Sequence, residues 1–490
     1  MLFNTIDFII FFVLVLTSLV IIKNRKYQHL ILLVSSYFFF YYSSNYLITL
    51  LIFSTVLDFY VGQAIWKAKS IGHKKGLLII SLAGNLGLLG FFKYSDFAIS
   101  QFNVLGSILG FEEIPLLNII LPIGISFYTF QTISYTIDIY RGGLTPCKSL
   151  KEFALFVAFF PSLVAGPIIR AKQFLPQLRE QIDNLTSNSK LRQIVFQGSN
   201  LRLGITLMAF GFFKKMFFAD NIAPMVNDIF SSPTGLESLT IILGTVGFGI
   251  QVYGDFSGYS DIAIGAALII GIKIPMNFNK PFFATSPGDF WKRWHISLSS
   301  WVRDYLYLPL VFKNKRSNSR IFVSVLLSMT LIGIWHGAGW NFLIFGLMHG
   351  FYLGIHSILR NSFPMLKITR FFKTKIGTVI AIFVTQYLVF LSFLVFRVND
   401  MDALWYSISK FVLLDFQMNE TISFISVHKL PVLLIGLFII LHYISYQKKN
   451  LPQIISAFKL KYWILFLTTI ALIILFFYDS NPQQFFYFQF

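Results

Sequence analysis

Long apolar runs, interrupted by short basic clusters, dominate the chain. The runs lie near residues 5–22, 28–43, 45–66, 76–93, 115–137 and 152–169. They continue near 196–218, 236–272, 319–336, 339–360, 376–397, 430–446 and 461–478. A helix needs about 20 residues to cross the hydrocarbon of a bilayer, so the pattern predicts membrane-spanning helices. Several runs are short and 236–272 is too long, so some are tilted, broken or re-entrant. About ten to twelve crossings are expected. The first run, Ile6–Ile22, has no basic residues ahead of it and is long enough to span, so it reads as a retained helix. Lys172–Arg192 and Phe312–Arg320 are polar enough to be cytosolic loops. Met401–Leu414 alternates as an amphipathic helix that lies in an interface.

Composition and charge sharpen this picture. Of 490 residues, 56% are hydrophobic and only 12% charged, more apolar surface than a soluble core of this length buries. The net charge of +19 would suggest nucleic acid in a soluble protein. Here the basic residues sit between apolar runs, so cytoplasmic loops and anionic membrane lipids account for them, and no nucleic-acid partner is expected. Lys23, Arg25 and Lys26 follow the first run, Lys67, Lys69, Lys74 and Lys75 the third, and Arg141, Lys148 and Lys151 the fifth. The connections Ser43–Asn45 and Phe97–Pro115 carry no Lys or Arg. This alternation puts the basic loops in the cytoplasm and the N-terminus outside. A basic cytosolic face also suits an anionic, nucleotide-bearing thioester. The single Cys147 rules out an intrachain disulfide and reads as a solvated or interfacial bystander. With no internal repeat, the chain is expected to be one integral membrane domain over 1–490, with N-terminal helices over 1–114, a catalytic core over 115–360 and C-terminal helices over 361–490.

Three polar constellations stand out. In Ser286–Trp301, Ser286, Pro287 and Asp289 form a helix-start signature. A helix beginning there would carry Trp291, His295 and Ser299 on one face and pair Asp289 with Arg293; Arg303 and Asp304 follow. An interfacial helix with Trp anchors is the alternative. In Gly333–Asn341, His336 lies between Trp335 and a glycine cluster at the end of an apolar run. An ionisable group at membrane depth is costly and points to function. Moving an acyl group from a thioester to a hydroxyl needs a base, and an imidazole is matched to that task. His295 would orient the acceptor, stabilise charge or anchor the donor. In Gln251–Asp261, the polar residues Asp255, Ser257, Tyr259 and Asp261 need partners and read as a hydrogen-bonded structural junction. No nucleophile elbow, phosphate loop, zinc-ligand spacing or dinucleotide fingerprint occurs, so no metal and no permanently bound cofactor is expected.

In this order the motifs resemble those of the membrane-bound O-acyltransferase family, in its bacterial branch typified by the alginate O-acetylation membrane subunit. The resemblance is carried by Leu121–Gln131, Ser134–Arg141, Phe160–Arg170, Gly211–Lys215 with Ala219–Asn221, Asp255–Asp261, Asp289–Pro309, the Trp335-His336-Gly337 centre and the tail Phe485–Phe490. It implies an all-α integral membrane protein whose tilted helices ring a central funnel or tunnel, in a multi-pass bacterial inner-membrane setting. His336 matches the family's intramembrane histidine and His295 its second, upstream position, so both are expected to be catalytic. Trp291, Arg293, Ser299, Arg303, Asp304, Trp335 and Asn341 are expected to bind substrate around them. The implied donor is acetyl-CoA from the cytosol. The implied acceptor is an exported polysaccharide, reached directly or through an extracytoplasmic partner resembling an SGNH-type hydrolase. Lys292 stands where the family pattern suggests Arg. D-alanyl transfer to teichoic acid, by the related branch, and a non-enzymatic polysaccharide transporter or channel are the alternatives. Whether His336 acts as base or as acyl carrier stays open.

Overall fold

The computed structural model describes residues 1–164, 166–180, 190–312, 317–362, 371–372, 374–478 and 485. The described residues are helical, joined by turns and loops, with one isolated antiparallel bridge between Arg179 and Leu191. Seven segments among them are long and apolar enough to cross a membrane. The chain is therefore an all-α, multi-pass membrane protein. Its contacts divide it into two compact units: Met1–Met208 with Ser260–Pro275, and Ala209–Tyr259 with Met276–Phe490.

The first unit opens with α1 (Ile6–Ile21), α2 (Arg25–Ser44) and α3 (Ile48–Lys67), the last two joined by one 3-10 turn. α4 (Ile71–Leu109) is a single 39-residue helix, about 58 Å long at the standard rise. It thus covers both the run at 76–93 and most of the connection expected over Phe97–Pro115. It ends where Gly110 takes a left-handed φ of 76°. The chain then returns along the helix, held by its side chains. Asn103 and the Ile114 backbone exchange two hydrogen bonds of 2.8 and 2.9 Å, and Asp96 accepts from the Leu117 and Ile119 amides.

Two further sequence expectations give way here. The run at 115–137 becomes helical only as α5 (Ile125–Tyr140), after left-handed Gly124, where a Cβ would meet the Leu163 carbonyl at 2.3 Å. The run at 152–169 does not form one spanning helix. α6 (Leu150–Ala158) has nine residues and stops where Phe159 leaves helical geometry, two residues before Pro161. The Phe160 amide then donates to Ser36 Oγ. α3, α4 and α5 pack together around a buried polar seam. Asp58 accepts from Ser81 Oγ (2.6 Å) and Asn85 Nδ2 (2.9 Å), while Thr136 and Thr132 bond Ser81 and Asn85. Burying a carboxylate in this setting is tolerable only because its oxygens are satisfied. Cys147 is buried rather than solvated. Its amide donates to the Tyr135 hydroxyl, its carbonyl accepts from Gln63, and its thiol faces the Ser149 carbonyl.

Two of the three unit boundaries fall inside α7 (Gly198–Phe212) and α9 (Ser238–Ile269), and the third lies after Pro275. α7 runs through a π-helical turn, Phe213–Ala219, into α8 (Asp220–Ser231). The turn places Lys215 between two carboxylates, 2.8 Å from Asp220 and 2.7 Å from Asp255 on α9, with all three side chains buried. Short helices α10 (Pro287–Trp291) and α11 (Ile296–Val302) lead to α12 (Asn318–His336) and α13 (Trp340–Ser362). These last two form a close hairpin. Gly333 faces Gly346 so tightly that a Cβ on Gly346 would lie 2.6 Å from the Met329 carbonyl. Gly350 and Gly354 continue the seam against Leu326 and Phe322. Small residues every fourth position allow this approach where lipid supplies no hydrophobic drive between helices. α14 (Lys375–Arg397), α15 (Met401–Val412), α16 (Lys429–Gln447) and α17 (Leu460–Phe476) complete the unit. α15 buries Leu404, Ser407 and Phe411 along one face and leaves Trp405 exposed, as the amphipathic pattern suggested.

Candidate active site

The site grows from the helix start at Ser286. Its hydroxyl accepts from the Asp289 amide (3.1 Å), and Pro287 occupies the first turn. The Asp289 carboxylate reaches back to the Thr285 amide (3.1 Å) and pairs with Arg293 Nε at 2.9 Å. The continuous helix expected to carry Trp291, His295 and Ser299 does not form. α10 ends at Trp291, His295 adopts a left-handed φ of 41°, and α11 begins at Ile296. The cause is competition for backbone groups. Asn279 N–H donates to the Arg293 carbonyl, and Ile296 N–H donates to the Asn277 carbonyl, so the preceding irregular segment takes groups a helix would use. Ser297 fastens the same segment by donating to Asn277 Oδ1 at 2.6 Å. Trp291 and Ser299 still meet, because Ser299 Oγ donates to the Trp291 carbonyl at 2.7 Å.

The kink drives His295 fully inside. Its ring lies 4.6 Å from that of Phe256 and 6.2 Å from that of Trp335, both centroid to centroid. Burial pushes its imidazole down to about 3, so it is neutral near pH 7. His336, the last residue of α12, is also buried, with ring centroids 4.9 Å from Trp335, 5.8 Å from Phe345 and 5.2 Å from Phe396. Two histidines from different elements thus pack on one indole. Gly337 makes room for the next turn, since a Cβ there would collide with the Phe342 ring at 2.1 Å. Asn341 fixes the chain just beyond Gly337. Its amide donates to the Phe396 carbonyl (3.2 Å) and to Asn399 (3.0 Å), tying the start of α13 to the end of α14.

His349 was not singled out from the sequence. It accepts from Trp291 Nε1–H through Nδ1 at 3.2 Å, and its Nε2 lies 2.9 Å from Ser392 Oγ, which bonds the Val389 carbonyl. An indole can only donate, so Nδ1 is the acceptor and Nε2 carries the proton toward Ser392. This chain locks Trp291 and His349 in one orientation. The signal that marked His336, an ionisable side chain inside an apolar run, was present at His349 as well.

The remaining positions separate. Asp255 belongs to the Lys215 pair, and the Ser257 carbonyl accepts from Lys214 at 3.4 Å. Tyr259 is buried against Phe485 with centroids 4.6 Å apart. Asp261 lies in the first unit. Arg303 pairs with its neighbour Asp304 at 2.7 Å and is mostly exposed. Of the aromatic tail, Phe485 alone lies among the described residues, and the loops expected over 172–192 and 312–320 are described only at their ends.

The sequence profile of the membrane-bound O-acyltransferase (MBOAT) family matches residues 147–387, a stretch containing His295, His336, His349 and Lys215. Over 380 residues the chain is 33% identical to a peptidoglycan O-acetyltransferase of Helicobacter pylori, covering 73% of this chain and 68% of that protein. The chain belongs to the membrane-bound O-acyltransferase family. It is also 39% identical over 309 residues to a probable alginate O-acetylase of Azotobacter vinelandii, covering 62% of this chain and 58% of that one. A teichoic acid D-alanyltransferase of Streptococcus thermophilus is 31% identical over 301 residues, covering 58% of this chain and 70% of that protein. The chain therefore spans less than two thirds of the length of the alginate-type relative it matches.

Proposed function

We propose that this MBOAT chain is an O-acetyltransferase of a bacterial inner membrane, with its N-terminus outside. In this reading it passes an acetyl group from cytosolic acetyl-CoA toward hydroxyls of an exported polysaccharide, through an extracytoplasmic SGNH-type partner or directly. The observation that carries the reading is the pair of buried imidazoles, His295 and His336, packed on Trp335 within the family-matched region. His336 takes the proton of the acceptor hydroxyl as its oxygen attacks the thioester carbonyl. The new C–O bond forms, the C–S bond breaks, and the imidazolium returns the proton to the departing thiolate. General-base assistance of this kind is worth about 10²–10⁴-fold. The neutral, buried His295 is suited to hydrogen-bond the developing oxyanion rather than to compete for the proton. Trp291, Arg293, Ser299, Trp335 and Asn341 are assigned to shaping and orienting this centre, and Arg303 and Asp304 to its exposed approach.

The likeness to a teichoic acid D-alanyltransferase keeps a second acyl group in view. One experiment addresses both. Acetyl and D-alanyl ester contents of the cell-surface polymers are compared between wild type and His336→Ala at equal membrane levels of protein. Loss of acetyl ester alone is the expected result. Loss of D-alanyl ester instead would reassign the donor, and unchanged esters would overturn the role of His336.

A further inference from the structure

A cavity of about 470 Å³ opens in the first unit, away from His295 and His336 in sequence and built from α2, α6, the residues before them and Leu191; His29 of α2 also lines it, its Nε2 3.0 Å from the Arg192 carbonyl. Its polar end gathers Asn24, Lys26, Ser149 and Lys151, and its apolar side Tyr27, Leu30, Leu33 and Leu155. Two helix N-termini converge there. Asn24 caps α2 by accepting from the Lys26 amide, and Ser149 caps α6 by accepting from the Glu152 amide. Both helices direct the positive ends of their dipoles at the opening. The one acidic side chain in the lining, Glu152, is committed to Arg179, which grips it through Nε and Nη2 at 3.2 and 3.0 Å. Lys26 and Lys151 have no anionic partner among the described residues, and both are exposed. The polar end therefore has two uncommitted cations and no uncommitted anion. From it, Tyr27, Leu30, Val34, Phe38 and Tyr41 run along one exposed face of α2, at the three- and four-residue spacing of a single helical stripe.

We propose that this cavity binds the phosphodiester headgroup of an anionic phospholipid, with Lys26 and Lys151 on the phosphate and one acyl chain lying along the α2 stripe. A free phosphate or the phosphates of coenzyme A share the headgroup chemistry. The lipid is favoured because the cations stand at the start of a membrane helix and the apolar stripe continues from them. Each lysine near an anionic surface contributes enough that loss of both weakens binding about 30-fold.

The test uses the purified full-length protein in a neutral detergent. Native mass spectrometry counts bound lipid during titration with phosphatidylglycerol, phosphatidylcholine, inorganic phosphate or coenzyme A, for wild type, K26Q/K151Q and K26R/K151R. The expected result is one phosphatidylglycerol retained by wild type and by the arginine variant, and an affinity lower by about 30-fold in the glutamine variant. Both lysines are exposed, and an unchanged melting temperature of K26Q/K151Q confirms that it is folded. Equal retention by all three proteins would overturn the site. Retention of phosphatidylcholine as tight as that of phosphatidylglycerol would overturn the headgroup assignment. Occupancy by coenzyme A or phosphate, but not by the lipid, would overturn the lipid assignment.

Discussion

At the residue scale the decisive feature is that histidines are buried in aromatic surroundings with their protonation fixed by what they touch. His295 sits well below its ordinary value of 6.5, at about 3, because burial disfavours the charged ring. In the unfolded chain this residue takes up a proton below about pH 6.5; in the folded chain it does not until about pH 3. Stability contributed by the neutral ring is therefore lost as pH falls through that window. Between pH 6.5 and 5 the linkage amounts to about 2 kcal/mol. Thermal unfolding of the detergent-solubilised protein should show this slope, and His295→Asn should flatten it; an equal slope in the variant would assign the acid sensitivity elsewhere. His349 makes a different prediction. His349→Ala takes the acceptor from Trp291 Nε1–H and leaves Ser392 Oγ only its bond to the Val389 carbonyl, and a buried donor left unmatched costs about 1–3 kcal/mol. A lowered melting temperature is expected, together with a quenching change in the fluorescence of Trp291. These roles were half legible in the chain. An imidazole inside an apolar run announces itself, as His336 did. Which ring it stacks on, and which of its nitrogens carries the proton, depends on Trp335, Trp291 and Ser392, whose approach no local spacing encodes.

Elements in this protein are set by short-range signals up to the point where a distant backbone competes. Ser286 and Pro287 start α10 as their types dictate, yet Asn277 and Asn279 then draw off the amide of Ile296 and the carbonyl of Arg293, and the helix breaks at His295. The α12–α13 hairpin shows the opposite case, in which packing depends on what is missing from the sequence. A Cβ at Gly346 would lie 2.6 Å from the Met329 carbonyl and 2.9 Å from Thr330 Cα, both backbone atoms that cannot step aside. At Gly436 on α16 nothing lies within 4 Å. Gly346→Val should therefore lower the yield of folded protein, with a destabilisation of about 1–3 kcal/mol or more, whereas Gly436→Ala should be neutral or slightly stabilising. Size-exclusion profiles and melting curves of the two variants decide it. The π-helical turn at Phe213–Ala219 raises a related point, because it is what aims Lys215 at both Asp220 and Asp255. Lys215→Met removes the cation that both buried carboxylates contact. It should cost about 3–5 kcal/mol, and partial recovery is expected when Asp255→Asn is added.

Over the whole molecule, the alternation of basic and neutral connections makes a topological prediction. Single cysteines at Lys74 and at Tyr46 should label from opposite sides of the membrane with an impermeant maleimide, Tyr46→Cys from outside in intact cells and Lys74→Cys only after permeabilisation. The native Cys147 should contribute little background, since it is buried and its thiol is pushed up to about 12 by that burial. Labelling of both sites from the same side would contradict the orientation read from the charges.

The sequence by itself determined that the chain enters a membrane as helices, because apolar runs of spanning length have no other stable solution in lipid. It also marked which positions would need partners inside the apolar runs, since a histidine or a polar segment placed there must be satisfied or used. Tertiary structure decided the rest. It ran 76–93 on into 97–109 as one helix and fastened the returning chain to it through Asp96 and Asn103, cut 152–169 short at Phe159, and placed Cys147 against Tyr135 and Gln63. It also brought His295 and His336 to one indole, Trp335. Each of these turns on a contact between residues far apart in the chain, where a hydrogen bond or a close backbone approach outweighs local preference, and periodicity within a run carries no information about such contacts.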